Sequence, residues 1–190
     1  RPLRALLLEG IHPGARDVLA AVGVNVTLLD KSPPKADLPN LVKDFDILGL
    51  GLASETLSGL SEDGHAGGAF PRPCLFERLG RVLEKARPDV VVACYGMNDG
   101  IYLPLDKDRT AAFQKGVTKL VEQCREAGVK QVYLVTPPVY DFTPKAGEFN
   151  YDTVLTEYAR WEATLKMPGV RVIDLHTAMR QARDARAEPF

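Results

Sequence analysis

Short apolar runs alternate along this chain with longer stretches in which apolar residues recur every three or four positions. The runs predict six strands, at Leu3–Leu8, Asn25–Leu29, Ile47–Leu50, Val90–Cys94, Gln131–Val135 and Val170–Ile173. The helix-spaced stretches predict helices near Gly14–Val22, Leu38–Phe45, Leu75–Ala86, Ala111–Ala127, Tyr151–Met167 and Ala178–Ala187. In the third of these Leu75, Leu79, Val82 and Leu83 share one stripe; in the fourth Phe113, Val117, Leu120, Val121 and Cys124 do the same. Gly128 and Gly169 stand where left-handed helix caps are expected. Strand–helix alternation predicts an α/β fold, a three-layer α/β/α sandwich built on a doubly wound, flavodoxin-like parallel sheet. Val90–Cys94 is continuously apolar, which predicts a strand covered on both faces.

Composition narrows the classes of function. With 190 residues, 45% apolar and 26% charged, the chain fits one soluble domain, residues 1–190, with a substantial core. A net charge of −1 without a basic helix excludes nucleic acid and anionic membrane as default partners. Nothing approaches the roughly 20 apolar residues of a membrane span. Arg1 and Arg4 bracket too short an apolar run for a signal peptide. Three widely spaced cysteines, Cys74, Cys94 and Cys124, read as buried free thiols, which favours the cytoplasm. No close Cys or His pair suggests a metal site. The turn Gly49–Ser54 has Ser where a dinucleotide-binding turn has its third glycine, so no cofactor is expected.

Chemistry concentrates after the fourth strand. Gly96 and Gly100 bracket Met97, Asn98, Asp99 at the carboxyl end of a parallel strand, where open α/β sheets place ligands. An amide held there, Asn98, suits a developing oxyanion; the same residues also read as a turn capping the next segment. Two Gly/Pro-containing stretches, Ala53–Pro73 and Asp141–Asn150, follow other strands and are expected to flank the same crevice.

These residues carry a resemblance. Gly96-Met97-Asn98-Asp99 resembles the Gly-x-Asn-Asp block of the SGNH (GDSL-type) ester hydrolases, and Gly51–Gly59 resembles that family's second block. Ser61–Pro73, Tyr102–Leu105, Thr136-Pro137-Pro138 and Val172–His176 are similar to one bacterial subgroup, so the likeness covers about residues 50–180. It implies an acyl esterase of carbohydrate or lipid esters, with Asn98 and the Gly51–Ser54 backbone as oxyanion donors. Two family blocks are not found. The first strand runs into Glu9-Gly10-Ile11-His12-Pro13 rather than Gly-Asp-Ser, and no Asp-x-x-His follows Asp174 up to Phe190. Little or no esterase activity is therefore expected. Residues Arg4–Gly23, Asn25–Asp30 and Leu41–Gly49 instead resemble the opening of phosphoglycerate dehydrogenases, which suggests a chimera of two α/β ancestries joined near Asp46–Leu52. The alternatives to an ester hydrolase are a non-catalytic engineered or chimeric α/β fold, or a domain that binds small molecules or anions.

Individual candidates each have a plain structural alternative. Ser54 is an oxyanion donor, a displaced nucleophile or a turn cap. His12 points into the crevice or merely starts a helix before Pro13. His65 contacts a ligand or is solvated. Asp99 is a ligand contact or a turn residue. His176 follows Asp174, whose expected role is helix capping, and Arg72 holds an anion or a surface ion pair.

Overall fold

The computed structural model describes residues 1–8, 14–29, 31, 34, 37, 40, 41, 43–50, 75–77, 79–140 and 147–185. Strand β1 (Arg4–Leu8) is flanked on both sides by parallel neighbours, β2 (Asn25–Leu29) and β3 (Ile47–Leu50), with Leu6 opposite Thr27 and Leu48. Helix α1 (Gly14–Ala21) connects β1 to β2 and packs on β2. A second parallel sheet follows in the order β4 (Val90–Cys94), β5 (Gln131–Val135), β6 (Val170–Ile173). Here Val92 lies opposite Tyr133, and Leu134 opposite Val172.

Strands β3 and β4 come within 8 Å of each other, Cα to Cα, without sharing a ladder. Across that seam the strand order is β2-β1-β3-β4-β5-β6. The step from β1 to β2 and the step from β4 to β5 then run in opposite directions. Right-handed crossovers place their helices on opposite faces, which gives the doubly wound, three-layer α/β/α arrangement.

Four helices follow α1 among the described residues: α2 (Leu79–Ala86), α3 (Lys107–Glu126), α4 (Asp152–Ala163) and α5 (Leu175–Asp184). Leu79 and Leu83 of α2, Phe113, Val117 and Leu120 of α3, and Val154, Leu155 and Tyr158 of α4 form one core over Ala93, Val132 and Leu134. The Phe113 and Tyr158 rings stack at its centre, 4.2 Å apart and 11° from parallel.

The sheet corrects one expectation. Among the described residues strand β4 is covered on one face: Ala93 is buried, but Val92 is 55% exposed and Cys94 is exposed too. Helices α2–α4 all pack on the face that Ala93 shares, so β4 alternates like a half-covered strand. The doubly buried strand is β1, where Ala5, Leu6 and Leu7 are all buried. Cys124 is buried as expected, and burial pushes its thiol up to about 11. Cys74 lies outside the described residues.

Helix ends differ for local reasons. Helix α3 begins four residues before the expected Ala111, because Asp106 caps it by accepting from the Arg109 N–H at 2.9 Å. Helix α5 begins at Leu175 rather than Ala178, since Asp174 caps it through the Thr177 N–H at 3.0 Å. Leu75–Glu77 form a separate 3₁₀ turn ahead of α2. Of the expected helix at 38–45, Asn40 and Leu41 are helical while Lys43 and Asp44 are in a turn. Gly128 takes φ +85° one residue past the Ala127 cap, as expected. Gly169 also has positive φ but stands well beyond the end of α4, where it turns the chain into β6. No helix among the described residues is long and apolar enough to cross a membrane.

Candidate functional site

After Cys94 the chain leaves the sheet and folds back on itself within eight residues. Gly96, at φ +116°, makes the first bend, and a Cβ there would sit 3.1 Å from the Pro137 ring. The Asp99 carboxylate reaches back to accept from the Gly96 N–H at 3.1 Å. Backbone bonds Asp99 N–H to Gly96 O (3.2 Å), Ile101 N–H to Asn98 O (3.1 Å) and Leu103 N–H to Gly100 O (3.1 Å) continue the turn. This loop is buried: Asn98 is 7% exposed and Asp99 0%.

The loop is also strained. Ile101 and Tyr102 take φ of +51° and +58°, the left-handed region that a β-branched residue rarely enters. Such conformations cost about 1–3 kcal/mol each and persist only where the surroundings over-determine them. Here the surroundings are aromatic. The Tyr102 ring lies 4.7 Å from Tyr151 and 5.8 Å from Tyr140, centroid to centroid. The Tyr151 hydroxyl donates to the Met97 carbonyl at 2.9 Å. Tyr102 in turn donates its hydroxyl to Asn98 Oδ1 at 3.1 Å, which fixes the plane of the amide. The Asn98 amide nitrogen is thereby directed away from Tyr102.

Tyr140 and Tyr151, on either side of the second expected flank, lie against this loop, while residues 141–146 of that flank are outside the described residues. The first flank, Ala53–Pro73, lies outside the described residues, and with it Gly51, Ser54, His65 and Arg72; His12 lies outside them as well. Of the sequence candidates, the structure therefore positions Asn98 and Asp99. Asp99 holds the turn through Gly96, the structural role weighed for it.

Behind the loop stands a residue that the search for motifs passed over. Glu162 on α4 occupies a core position, 2% exposed, and its Oε2 has no hydrogen-bond partner among the described residues. Burial, helped by the nearby Asp99 carboxylate, pushes its carboxyl up to about 8. Helix spacing alone would have flagged it, since it falls on the stripe of Leu155, Tyr158 and Ala159. His176, read as a neighbour of the Asp174 cap, is buried at the start of α5. Its N–H donates to Thr136 Oγ1 at 2.9 Å and its Nδ1 lies 3.1 Å from the Pro137 carbonyl, tying α5 to the end of β5. Among the described residues no group of three His, Cys, Asp or Glu side chains is arranged to hold a metal.

Chemically, the loop offers a rigid amide donor at the mouth of a parallel strand, ringed by tyrosines. Residues 48–190 match the GDSL-like Lipase/Acylhydrolase family. No curated protein matches the chain.

Proposed function

The chain belongs to the GDSL-like lipase/acylhydrolase family, and from that membership we propose that it is an acyl-ester hydrolase scaffold of low or no activity. The supporting observation is Asn98, buried at the carboxyl end of β4 with its amide oriented by Tyr102. In ester hydrolysis its N–H groups would stabilise the tetrahedral oxyanion, together with the backbone at Gly51–Ser54. The substrates in this reading are acyl esters of carbohydrates or lipids, cleaved by water to an acid and an alcohol.

Low activity follows from the nucleophile. Strand β1 continues into Glu9-Gly10-Ile11-His12, where a family enzyme would present the serine of Gly-Asp-Ser. The stretch from Asp174 to Phe190 does not carry the family's Asp-x-x-His pattern. An oxyanion site without its triad still retains some catalysis. The test is p-nitrophenyl acetate hydrolysis by the 190-residue chain. We expect at most slow turnover, reduced at least tenfold by Asn98→Ala. Robust turnover indifferent to Asn98→Ala would refute the reading; robust turnover lost in Ser54→Ala would make Ser54 the nucleophile.

A composite origin accompanies this reading. The family match starts at residue 48, inside β3, and the ladder is interrupted between β3 and β4. Residues 1–49, similar to the phosphoglycerate dehydrogenase opening, would then be grafted onto the hydrolase segment at a shared strand. Searching each segment separately should return unrelated families. Free Cys94 and Cys124 favour a reducing compartment such as the cytoplasm.

A further inference from the structure

Helices α4 and α5 pack side by side, and a cleft of about 290 Å³ is lined by residues of both. Its walls follow from helix periodicity. Asp152 and Thr156 stand four apart on α4; His176, Arg180 and Arg183 recur at four and three on α5. Behind this lining His176, 2% exposed, places Nε2 3.1 Å from Thr156 Oγ1 and 3.9 Å from Asp152 Oδ1, which makes its ring a reporter of the cleft.

The charges along the walls are unevenly matched. Asp152 has Arg183 at 3.6 Å, and Arg183 also reaches Asp184 at 3.2 Å. Glu157 pairs with Arg160. Arg180, which also lines the cleft, donates to the Thr156 hydroxyl at 3.3 Å, and no carboxylate lies within 4.0 Å of it among the described residues. Each acid of the walls already has a cation, whereas this guanidinium, among the described residues, meets a neutral hydroxyl. A guanidinium is a planar fork of donors that fits a carboxylate with two parallel bonds. In the same lining the Thr153 hydroxyl donates to the Asn150 carbonyl and Asn150 Oδ1 accepts from the Asp152 N–H, which leaves a lone pair on Thr153 and the NH2 of Asn150 to meet alcohols.

We propose that the α4–α5 cleft is a binding site for a small hydroxylated carboxylate of the sugar-acid class, with Arg180 as its anchor. The carboxylate sits on Arg180, and the ring hydroxyls reach Asn150 and Thr153. The proposal draws on neither Asn98 nor ester hydrolysis, so its failure leaves the reading of Asn98 untouched.

The experiment titrates the full chain with D-glucuronate and follows the assigned imidazole resonances of His176 by NMR. A saturable shift is expected, with D-glucose and inorganic phosphate producing none at the same concentration and ionic strength. Arg180→Gln should weaken glucuronate binding at least tenfold, and Arg180→Lys, which keeps the charge without the fork, should fall between. Absence of a saturable shift in the wild-type chain overturns the proposal, whatever the variants do. So does an equal response to glucose or phosphate, or an affinity unchanged by Arg180→Gln.

Discussion

The hydroxyl of Tyr102 donates to Oδ1 of Asn98 across 3.1 Å, within a single reversed turn of five residues. That bond exists only because Ile101 and Tyr102 both take positive φ, which carries the Tyr102 ring back over the loop. Strain in the backbone is thus exchanged for a fixed direction of one side-chain amide. Such strain gathers at sites whose geometry matters more than their local stability.

Removing the hydroxyl tests this exchange. Tyr102→Phe keeps the ring contacts with Tyr140 and Tyr151 but deletes the donor to Asn98. We expect a stability loss of about 1 kcal/mol, the ordinary worth of one hydrogen bond. The Asn98 side-chain amide protons should lose their distinct NMR shifts and move toward those of a freely rotating amide. Unchanged Asn98 amide resonances in the variant would show that Tyr102 does not hold the side chain.

Gly100 is held to glycine by space rather than by its backbone angles. A Cβ there would fall 2.5 Å from Tyr151 Oη and 3.0 Å from Val154 Cγ1. The same Tyr151 hydroxyl holds the Met97 carbonyl, so the ring cannot retreat without breaking that bond. Gly100→Ala should therefore destabilise the protein by roughly 1–3 kcal/mol, as overpacking does. Gly80→Ala is the control, because a Cβ there meets nothing within 4 Å and the position is helical. Urea unfolding of both variants separates them.

Much of this was legible in the chain. Five of the six strands match their apolar runs residue for residue, and the sixth differs by one, because each run is bounded by a turn or a charge. The α3 stripe from Phe113 to Cys124 is buried as its spacing implies. What could not be read was which strands are covered twice. An apolar run records tolerance of burial, and only tertiary packing decides that β1 is enclosed while Val92 and Cys94 face outward. Asn98 was legible from its glycine-flanked setting. Tyr102 as its partner was not, because two non-glycine residues at positive φ leave no signal in composition.

The stacked pair at the centre of the helical layer supplies a third prediction. Phe113 is completely buried, stacked on Tyr158 and edge-on to Trp161 at 6.0 Å. Phe113→Ala should cost about 3–5 kcal/mol, combining lost transfer energy with an unfilled cavity. Phe113→Leu should lose less than half of that. Equal losses in the two variants would mean that the ring stack, rather than volume, dominates the site.

Glu162 makes the stability of this protein depend on pH in an unusual direction. Burial, reinforced by Asp99, raises its carboxyl from 4.5 in an unperturbed chain to about 8 in the folded one. Between those values the folded state holds a proton that the unfolded chain has released. Stability from this group is therefore present in full below about pH 4.5 and declines as pH rises toward 8. At its steepest the decline is roughly 1.4 kcal/mol per pH unit, the limit for one proton. Asp174 works the other way. Its desolvation would raise it, but the bonds from Thr177 outweigh that and hold it below its ordinary 3.8. Its contribution is present above that value and is lost only as pH falls through the folded value, so it does not mask Glu162 in the neutral range. Glu162→Gln and Glu162→Leu remove the titrating group, and the leucine also removes the partnerless Oε2. Urea midpoints measured at pH 5.5, 6.5 and 7.5 should fall steadily for the wild-type chain. Both variants should give a flatter profile and gain on the wild type as pH rises. Parallel profiles for all three proteins would mean that Glu162 ionises in the folded state as it does in water, and that its apolar surroundings are solvated.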